Sequence, residues 1–420
     1  MIPSPVPFTE DLQIHPGPAL LADLGIGPGL SAHRERFGPL PHLRLPELIE
    51  LVESVGLRGR GGAAFPFAVK LTTLAKQRRR PVVVVNLSEG EPASAKDSAL
   101  TQTRPHLVLD GAIAAARALG TREVHVVLPG ERPRTAQRMT EAILERDDRV
   151  RIRRHHASSR FVAGQARAVV ELIEGRPNLP VTSWAPEAIS GVRGRPTLLS
   201  NAETWAHVGL LALRGAAAYA VRGTTDETGT ALLTISSPGA PPQIHEAEYG
   251  TPLRALLPRA AEGGPALVGG FHGSWVDWEA LAGARVSVSG MKEMGLALGA
   301  GVVHAIGPHR CPLQLTSRIV EYLASQSAGR CGPCINGLPS LSHAVRETLA
   351  GVDNRDRIEQ LATTVERRGA CAHPDGTIRL VRSLFTMLPD EMAAHAVGSC
   401  TGPARPFTRE RELVAAGSPA

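Results

Sequence analysis

The run Val82-Val83-Val84-Val85-Asn86-Leu87 constrains the front half of this chain more than any other stretch. It lacks the apolar–polar alternation of a half-exposed strand, so it reads as a strand buried on both faces, as in a parallel sheet. An Ala-rich helix from His106 to Leu119 follows, then a strand from Val124 to Leu128. A helix around Thr135 to Glu145 leads to a third strand, Val150 to Arg154, and a last helix spans about Gln165 to Glu174. Strands alternating with helices imply right-handed βαβ units and a sheet covered on both sides. Upstream, Pro46 opens an apolar helix from Leu48 to Val55, and residues 1–45 read as a Pro-rich, irregular arm.

The character changes near Arg222. Residues 229–305 carry many glycines and short alternating strands (Ala231 to Ser236, Arg285 to Val288) with one short helix, Pro252 to Leu257, which describes a small α+β domain. From Pro312 the pattern is helical again, over Leu313 to Ala324, Leu341 to Leu349, Arg355 to Arg368 and Thr377 to Met387, with apolar residues at three- and four-residue steps as in a small bundle. No pattern follows Cys400. A chain of 420 residues has room for two or three such domains.

Charge excludes some classes. A net charge of +6 comes from scattered arginines mixed with 40 acidic residues, which gives no nucleic-acid footprint; at most it offers a basic face to an acidic redox partner. The start, Met1-Ile2-Pro3-Ser4-Pro5, has neither a basic nor an apolar leader, and no stretch approaches the ~18 apolar residues of a membrane span. Five cysteines, an odd number, suit a reduced cytoplasmic setting in which thiols bind metal or stay free.

Four segments carry chemistry. Gly56-Leu57-Arg58-Gly59-Arg60-Gly61-Gly62-Ala63-Ala64-Phe65-Pro66 can bring bare backbone amides up to a phosphate, with arginines as bidentate donors, or it is a surface turn. Ser88-Glu89-Gly90-Glu91-Pro92 and Lys96-Asp97 lie just past the carboxyl end of the first strand, where open α/β sheets bind ligands, or form an ordinary acidic loop. In Gly194 to Thr204, Ser200, Asn201 and Thr204 could bond a ribityl chain or phosphate, or one of them caps the next helix. Cys331-Gly332-Pro333-Cys334 with the distant Cys371 forms a metal or iron–sulfur pattern, or a set of buried free thiols. Cys311 and Cys400 stand outside that grouping and read as structural.

In this order the four segments resemble the NADH-oxidising flavoprotein subunit of respiratory complex I and the related diaphorase subunits of NAD-linked hydrogenases and formate dehydrogenases. The resemblance runs from about Val52 to His395. It is most specific at G-x-R-G-R-G-G-A-G-F-P-x-G-x-K, N-x-D-E-x-E-P-G-x-F-K-D and G-K-P-T-x-x-N-N-V-E-T. It implies a Rossmann-like α/β FMN domain over 46–225, a ubiquitin-like β-grasp (SLBB-type) α+β domain over 226–308 and a helical iron–sulfur domain over 309–398. An arm (1–45) and a flexible tail (399–420) flank them. Residue by residue, it implies that Gly59, Arg60, Gly61 and Gly62 wrap the FMN phosphate and ribityl, and that Lys70 contacts the flavin and stabilises charge at N1/C2=O on reduction. Asn86, Glu89, Gly164, Ser200 and Asn201 match further flavin contacts, with Glu89 and Lys70 as catalytic residues. Glu91 matches a carboxylate that receives NADH, Phe65 an aromatic that stacks on it, and Cys331, Cys334 and Cys371 three ligands of a 4Fe–4S cluster.

The departures are systematic. Ala328 stands where the family has the first cluster cysteine. The family's Y-I-C-G-E-E reads Phe161-Val162-Ala163-Gly164-Gln165-Ala166, without either carboxylate; an expected aromatic falls at Thr73, and the Asp of the D-E pair is Ser88. Losing two stacking contacts and a hydrogen-bonding carboxylate, at about 1 kcal/mol or more each, weakens NADH by about two orders of magnitude. The leading reading is therefore a cytoplasmic oxidoreductase passing electrons from NADH through FMN to a ferredoxin-like or iron–sulfur partner, attached through that partner to a membrane reductase. The alternatives are an FMN protein fed by ferredoxin without NADH, and a structural subunit that has lost nucleotide and cluster.

Overall fold

The computed structural model describes residues 2–6 and 8–400. Two sheets and a set of helices carry the chain. The first sheet is wholly parallel, built from β2 (Val82–Asn86), β3 (Glu123–Leu128), β4 (Arg151–His156) and β5 (Thr197–Asn201) in the order β4-β3-β2-β5. All four valines of β2 are fully buried, which accounts for the unbroken apolar run. Helices Pro105–Ala118 and Ala202–Ala220 cross beside it so closely that their backbones touch at glycines: a Cβ on Gly111 would lie 1.9 Å from Trp205 O, and one on Gly209 2.3 Å from Leu107 O. From β2 the chain moves outward to β3 and β4, then returns to β5 on the other side of β2. That reversal opens a crevice at the carboxyl ends of β2 and β5, where Asn86 and Asn201 are register partners.

β5 was not expected as a strand; its sequence is short and bounded by a capping signal, and pairing with β2 overrides both.

The second sheet is mixed, in the order β1-β7-β6-β10-β8-β9, with β1 Gln13–Ile14, β6 Thr230–Ser236, β7 Gln243–Glu248, β8 Ala266–Val268, β9 Ser274–Val276 and β10 Val302–Ala305. The arm thus contributes an edge strand, and it also contains a helix, Leu30–Phe37, so it is not irregular throughout. The Glu246 carboxylate fixes it, accepting the backbone N–H groups of Ala19, Leu20 and Leu21 at 3.0, 2.8 and 2.9 Å. The strand expected over Arg285 to Val288 does not form. Arg285 makes a single bridge to Pro252, and Ser287 caps a short helix, Val288–Glu293, with its side chain accepting the Gly290 N–H. The helix expected over Pro252 to Leu257 is one 3-10 turn, Leu253–Leu256.

Helices Pro312–Ser325, Leu338–Leu349, Arg355–Val365, His373–Met387 and Pro389–Ala396 pack around a second core that includes Leu323, Leu341, Val345 and Leu384. A five-residue π turn, Pro333–Gly337, carries Cys334 into Leu338–Leu349. The expected tail lies, from residue 401, outside the described residues.

Candidate functional site

The glycine loop docks on the β2/β5 crevice. A Cβ on Gly61 would lie 3.5 Å from Asn201 Cβ, and one on Gly62, whose φ is +98°, 3.5 Å from Gly299 O. Two bonds shape the loop: Gly59 N–H donates to Phe65 O at 2.9 Å, and Arg60 N–H to Thr204 Oγ1 at 2.9 Å. Among the described residues the amides of 61–64 donate to no protein acceptor. Gly62, Ala63 and Ala64 border a cavity of about 190 Å³, shared with Lys96, Glu203, Leu232 and Gly301. Bare amides on glycine backbone beside a cavity form a cradle for an anion, which fits the phosphate end of a mononucleotide.

The Arg60 side chain turns away from this cradle. It is buried between the two sheets, donating to Thr230 O at 3.0 Å and to the Tyr249 hydroxyl, with Glu203 3.7 Å away. The guanidinium of Arg60, a residue expected to wrap the FMN phosphate and ribityl, thus ties the loop to the second sheet, and Arg60 and Tyr249 both line the cavity.

A buried ionic cluster floors the crevice. Lys96 Nζ lies 2.7 Å from Asp97, 2.9 Å from Glu203 and 3.0 Å from Asn201 Oδ1, and the Asn201 amide also donates to Asp97. Burial opposes the charge on Glu203, but Lys96 and Arg60 outweigh it and hold the carboxyl down at about 2. Burial pushes Asp97 up, reinforced by Glu89 and Glu203 and opposed by Lys96. Asn201 is also the N-cap of Ala202–Ala220, its side chain accepting the Glu203 N–H at 3.1 Å, so capping and site roles share one residue. Lys96, Asp97 and Glu203 belong with the site residues; the Lys96-Asp97 pair was legible as a motif, but nothing in the sequence brings Glu203 to it.

Lys70 approaches from helix Phe67–Ala75. Its Nζ donates to Leu199 O at 3.0 Å and stands 5.9 Å from the Phe65 ring centroid; burial lowers its pKa, partly offset by Glu187. Phe65 itself is 45% exposed, free to receive a flat ligand. Across the crevice, Asn86 Nδ2 donates to Gly164 O at 2.8 Å, and the Ser88 hydroxyl donates to Asn86 Oδ1 at 2.7 Å. Ser200, buried on β5 next to Asn201, pairs in register with Val85.

Two carboxylates are placed differently from expectation. Glu89, in the left-handed region at φ 41°, is buried: its oxygens accept from Asp97 N–H, Ser98 N–H, the Ser94 and Ser98 hydroxyls, and Arg132 at 2.9 Å. With every lone pair engaged, it anchors the start of helix Lys96–Thr103 and cannot act on a flavin. Glu91 points into the protein, accepting from Ala93 N–H at 3.2 Å and Phe271 N–H at 2.9 Å. Burial pushes it up to about 7, the two N–H groups only partly opposing, although by surface area the residue is half-buried.

The turn Phe161–Gly164 links the crevice to the cysteines. Gly164 holds Asn86; Phe161 N–H donates to Gln326 Oε1 at 3.1 Å, and Arg160 to Ser327 O at 3.3 Å. Gln165 lies beside Cys371, and Ser327 beside Cys334. Burial, with Cys331 and Cys371 adding to it, raises Cys334 to about 11, and burial also raises Cys371, so neither thiol ionises at neutral pH without a cation. Cys331, Cys334 and Cys371, on two chain segments, are near enough to act on one another electrostatically, and thiols are the donor type an iron–sulfur cluster takes.

Among the described residues no helix is long and apolar enough to cross a membrane. Residues 52–210 match the Nuo51 FMN-binding domain, and residues 314–395 match the NADH-ubiquinone oxidoreductase-F iron-sulfur binding region. An NADH-quinone oxidoreductase F-type subunit of Rhizobium meliloti (strain 1021) is 28% identical over 400 residues, covering 90% of this chain and 94% of the relative. The F-type subunit of Rhodobacter capsulatus is 26% identical over 388 residues, covering 84% and 88%. The solved NAD+-reducing NiFe hydrogenase in its H2-reduced state superposes with a TM-score of 0.79 at 25% identity, over 91% of this chain and 67% of that one. The chain is a divergent member of the family of complex I flavoprotein subunits.

Proposed function

We propose that this chain is the flavoprotein unit of an NADH-type electron-transfer oxidoreductase, acting between a pyridine nucleotide, FMN and an iron–sulfur partner. The observation that carries the reading is the turn Phe161–Gly164, followed by Gln165, which touches the flavin crevice at one end and the cysteine site at the other. The relatives named as NADH-quinone oxidoreductase subunits support it. The domain reading follows: an FMN-binding Rossmann-like unit over 46–225, a β-grasp unit over 226–308 and an iron–sulfur bundle over 309–398.

FMN, when bound, accepts a hydride and returns electrons one at a time, the property that couples NADH to one-electron centres. Gly59, Gly61 and Gly62 leave room for its phosphate, and the amides of 61–64 bond it. Asn201 and Lys96, with Lys70, Asn86, Gly164 and Ser200, would hold the rest of the cofactor, and the Lys70 ammonium would stabilise negative charge on the reduced flavin. Phe65 stacks on the nucleotide. Glu89 is a positioning residue that acts through helix Lys96–Thr103. Cys331, Cys334 and Cys371 would hold a 4Fe–4S cluster, which carries single electrons onward. A cytoplasmic position, with attachment to a membrane reductase through the partner, suits the quinone-linked relatives.

The engagement of the Glu91 carboxylate by the Ala93 and Phe271 N–H groups favours a second reading, an FMN protein reduced by a ferredoxin. Anaerobic NADH mixed with FMN-loaded protein separates the two: bleaching of the flavin bands within a turnover supports the first. A flavin that dithionite or reduced ferredoxin bleaches and NADH does not supports the second and overturns the first.

A further inference from the structure

Cys311 and Cys400 are far apart in sequence, and both lie outside the matched iron–sulfur region, residues 314–395. The fold brings them together with Glu391 and His395, and one donor atom from each of the four lies within 4.8 Å of all the others. Cys311 Sγ is 3.3 Å from His395 Nε2, His395 Nε2 is 3.1 Å from Glu391 Oε1, and Cys400 Sγ is 3.8 Å from the same oxygen. Zinc bonds of about 2.3 Å to sulfur and about 2.0–2.2 Å to nitrogen or oxygen give tetrahedron edges of about 3.3–3.8 Å, close to these separations. We propose that Cys311, Glu391, His395 and Cys400 form a closed, four-ligand site for a single zinc ion, separate from the Cys331–Cys334–Cys371 group.

Local structure supports each ligand. Glu391 and His395 are four residues apart on helix Pro389–Ala396 and therefore share a face. Cys311 is the N-cap of the 14-residue helix Pro312–Ser325, and the Gln314 N–H donates to its sulfur at 3.2 Å; burial and the Glu391 carboxylate outweigh that bond and push the thiol's pKa up, so its proton leaves to a bound cation rather than to water. Past the helix end, Gly398 takes φ 75° and the Ser399 N–H returns to Ala394 O at 2.9 Å, a reversal that swings Cys400 back over the helix. Cys311, Glu391 and His395 are buried and Cys400 is at the exposed rim, which gives the ion an entry path. The donor set is soft and nitrogen-bearing, which suits zinc rather than calcium or magnesium, and four protein ligands leave no open position for chemistry. The role is structural: the ion clasps the eight-residue helix Pro389–Ala396 to the start of Pro312–Ser325.

Cobalt(II) is the probe. The full chain carrying Cys331→Ser, Cys334→Ser and Cys371→Ser, verified as folded by circular dichroism, is expected to bind about one equivalent of Co2+, with thiolate charge-transfer and intense tetrahedral d–d bands that zinc displaces. Adding Cys311→Ser and Cys400→Ser is expected to abolish the bands. Cys400→Ser alone, at the exposed rim where the core is undisturbed, is expected to lower Co2+ affinity about tenfold or more. Absence of tetrahedral bands in the folded triple variant, or affinity unchanged in Cys400→Ser, overturns the proposal. So does a Cys311–Cys400 disulfide in protein kept under reductant.

Discussion

Glu89 lies in a motif segment, yet its carboxylate is taken up by the fold. Its five donors, Arg132 among them as an ion pair, are all buried, so removing the carboxylate leaves an uncompensated guanidinium. Glu89→Ala is expected to destabilise the protein by about 3–5 kcal/mol, read as a shift in the urea midpoint; a surface reactive group would leave the midpoint where it was. Glu91 sets a pH dependence. Its folded pKa is raised from 4.5 to about 7, so the native state holds a proton that the unfolded chain has released. Stability is then full below about pH 4.5 and is lost as pH rises toward 7, by roughly 3 kcal/mol. Denaturation midpoints taken across that window are expected to fall with pH, and Glu91→Gln to flatten the slope. The residue types at the site were legible in the sequence because spacing preserves them. Their directions were not: that Arg60 faces Tyr249, or Glu91 faces Phe271, depends on the second sheet docking on the first.

At the level of elements, β2, β3 and β4 and the helices between them were legible, β2 and β3 as buried apolar runs, whereas β5 was not, because its strand state comes from pairing with β2. Strands of the second sheet were harder. β8 and β9 are three residues each, with Gly269 ending the first and Gly273 opening the second, and Arg285 to Val288 alternates like a strand while its Ser287 caps a helix. Such short segments acquire their state from neighbours in the sheet. The crossing of Pro105–Ala118 with Ala202–Ala220 is the tightest junction under the crevice. Gly111→Ala is expected to cost about 1–3 kcal/mol in thermal or urea unfolding, because its Cβ meets the Trp205 carbonyl, which belongs to rigid helix backbone. An unchanged midpoint would mean that the two helices do not pack in this register.

For the molecule as a whole, the arrangement is a conduit: a glycine cradle at the β2/β5 crevice, a turn at Phe161–Gly164, and a thiol site in the helical unit. Family membership could be read from the motifs in sequence, while the pairing of Cys311 with Cys400 could not, because only the folded bundle brings residues 89 positions apart to one point. The cradle is the part on which everything else depends. Isothermal titration of FMN into the full-length chain, with flavin fluorescence followed in parallel, tests it most directly. The account predicts about one equivalent bound with quenched fluorescence, and at least tenfold weaker binding in Gly62→Val, whose side chain would sit at φ +98° against Gly299 O. A chain that binds no FMN, or binds it equally well with valine at that position, would contradict it.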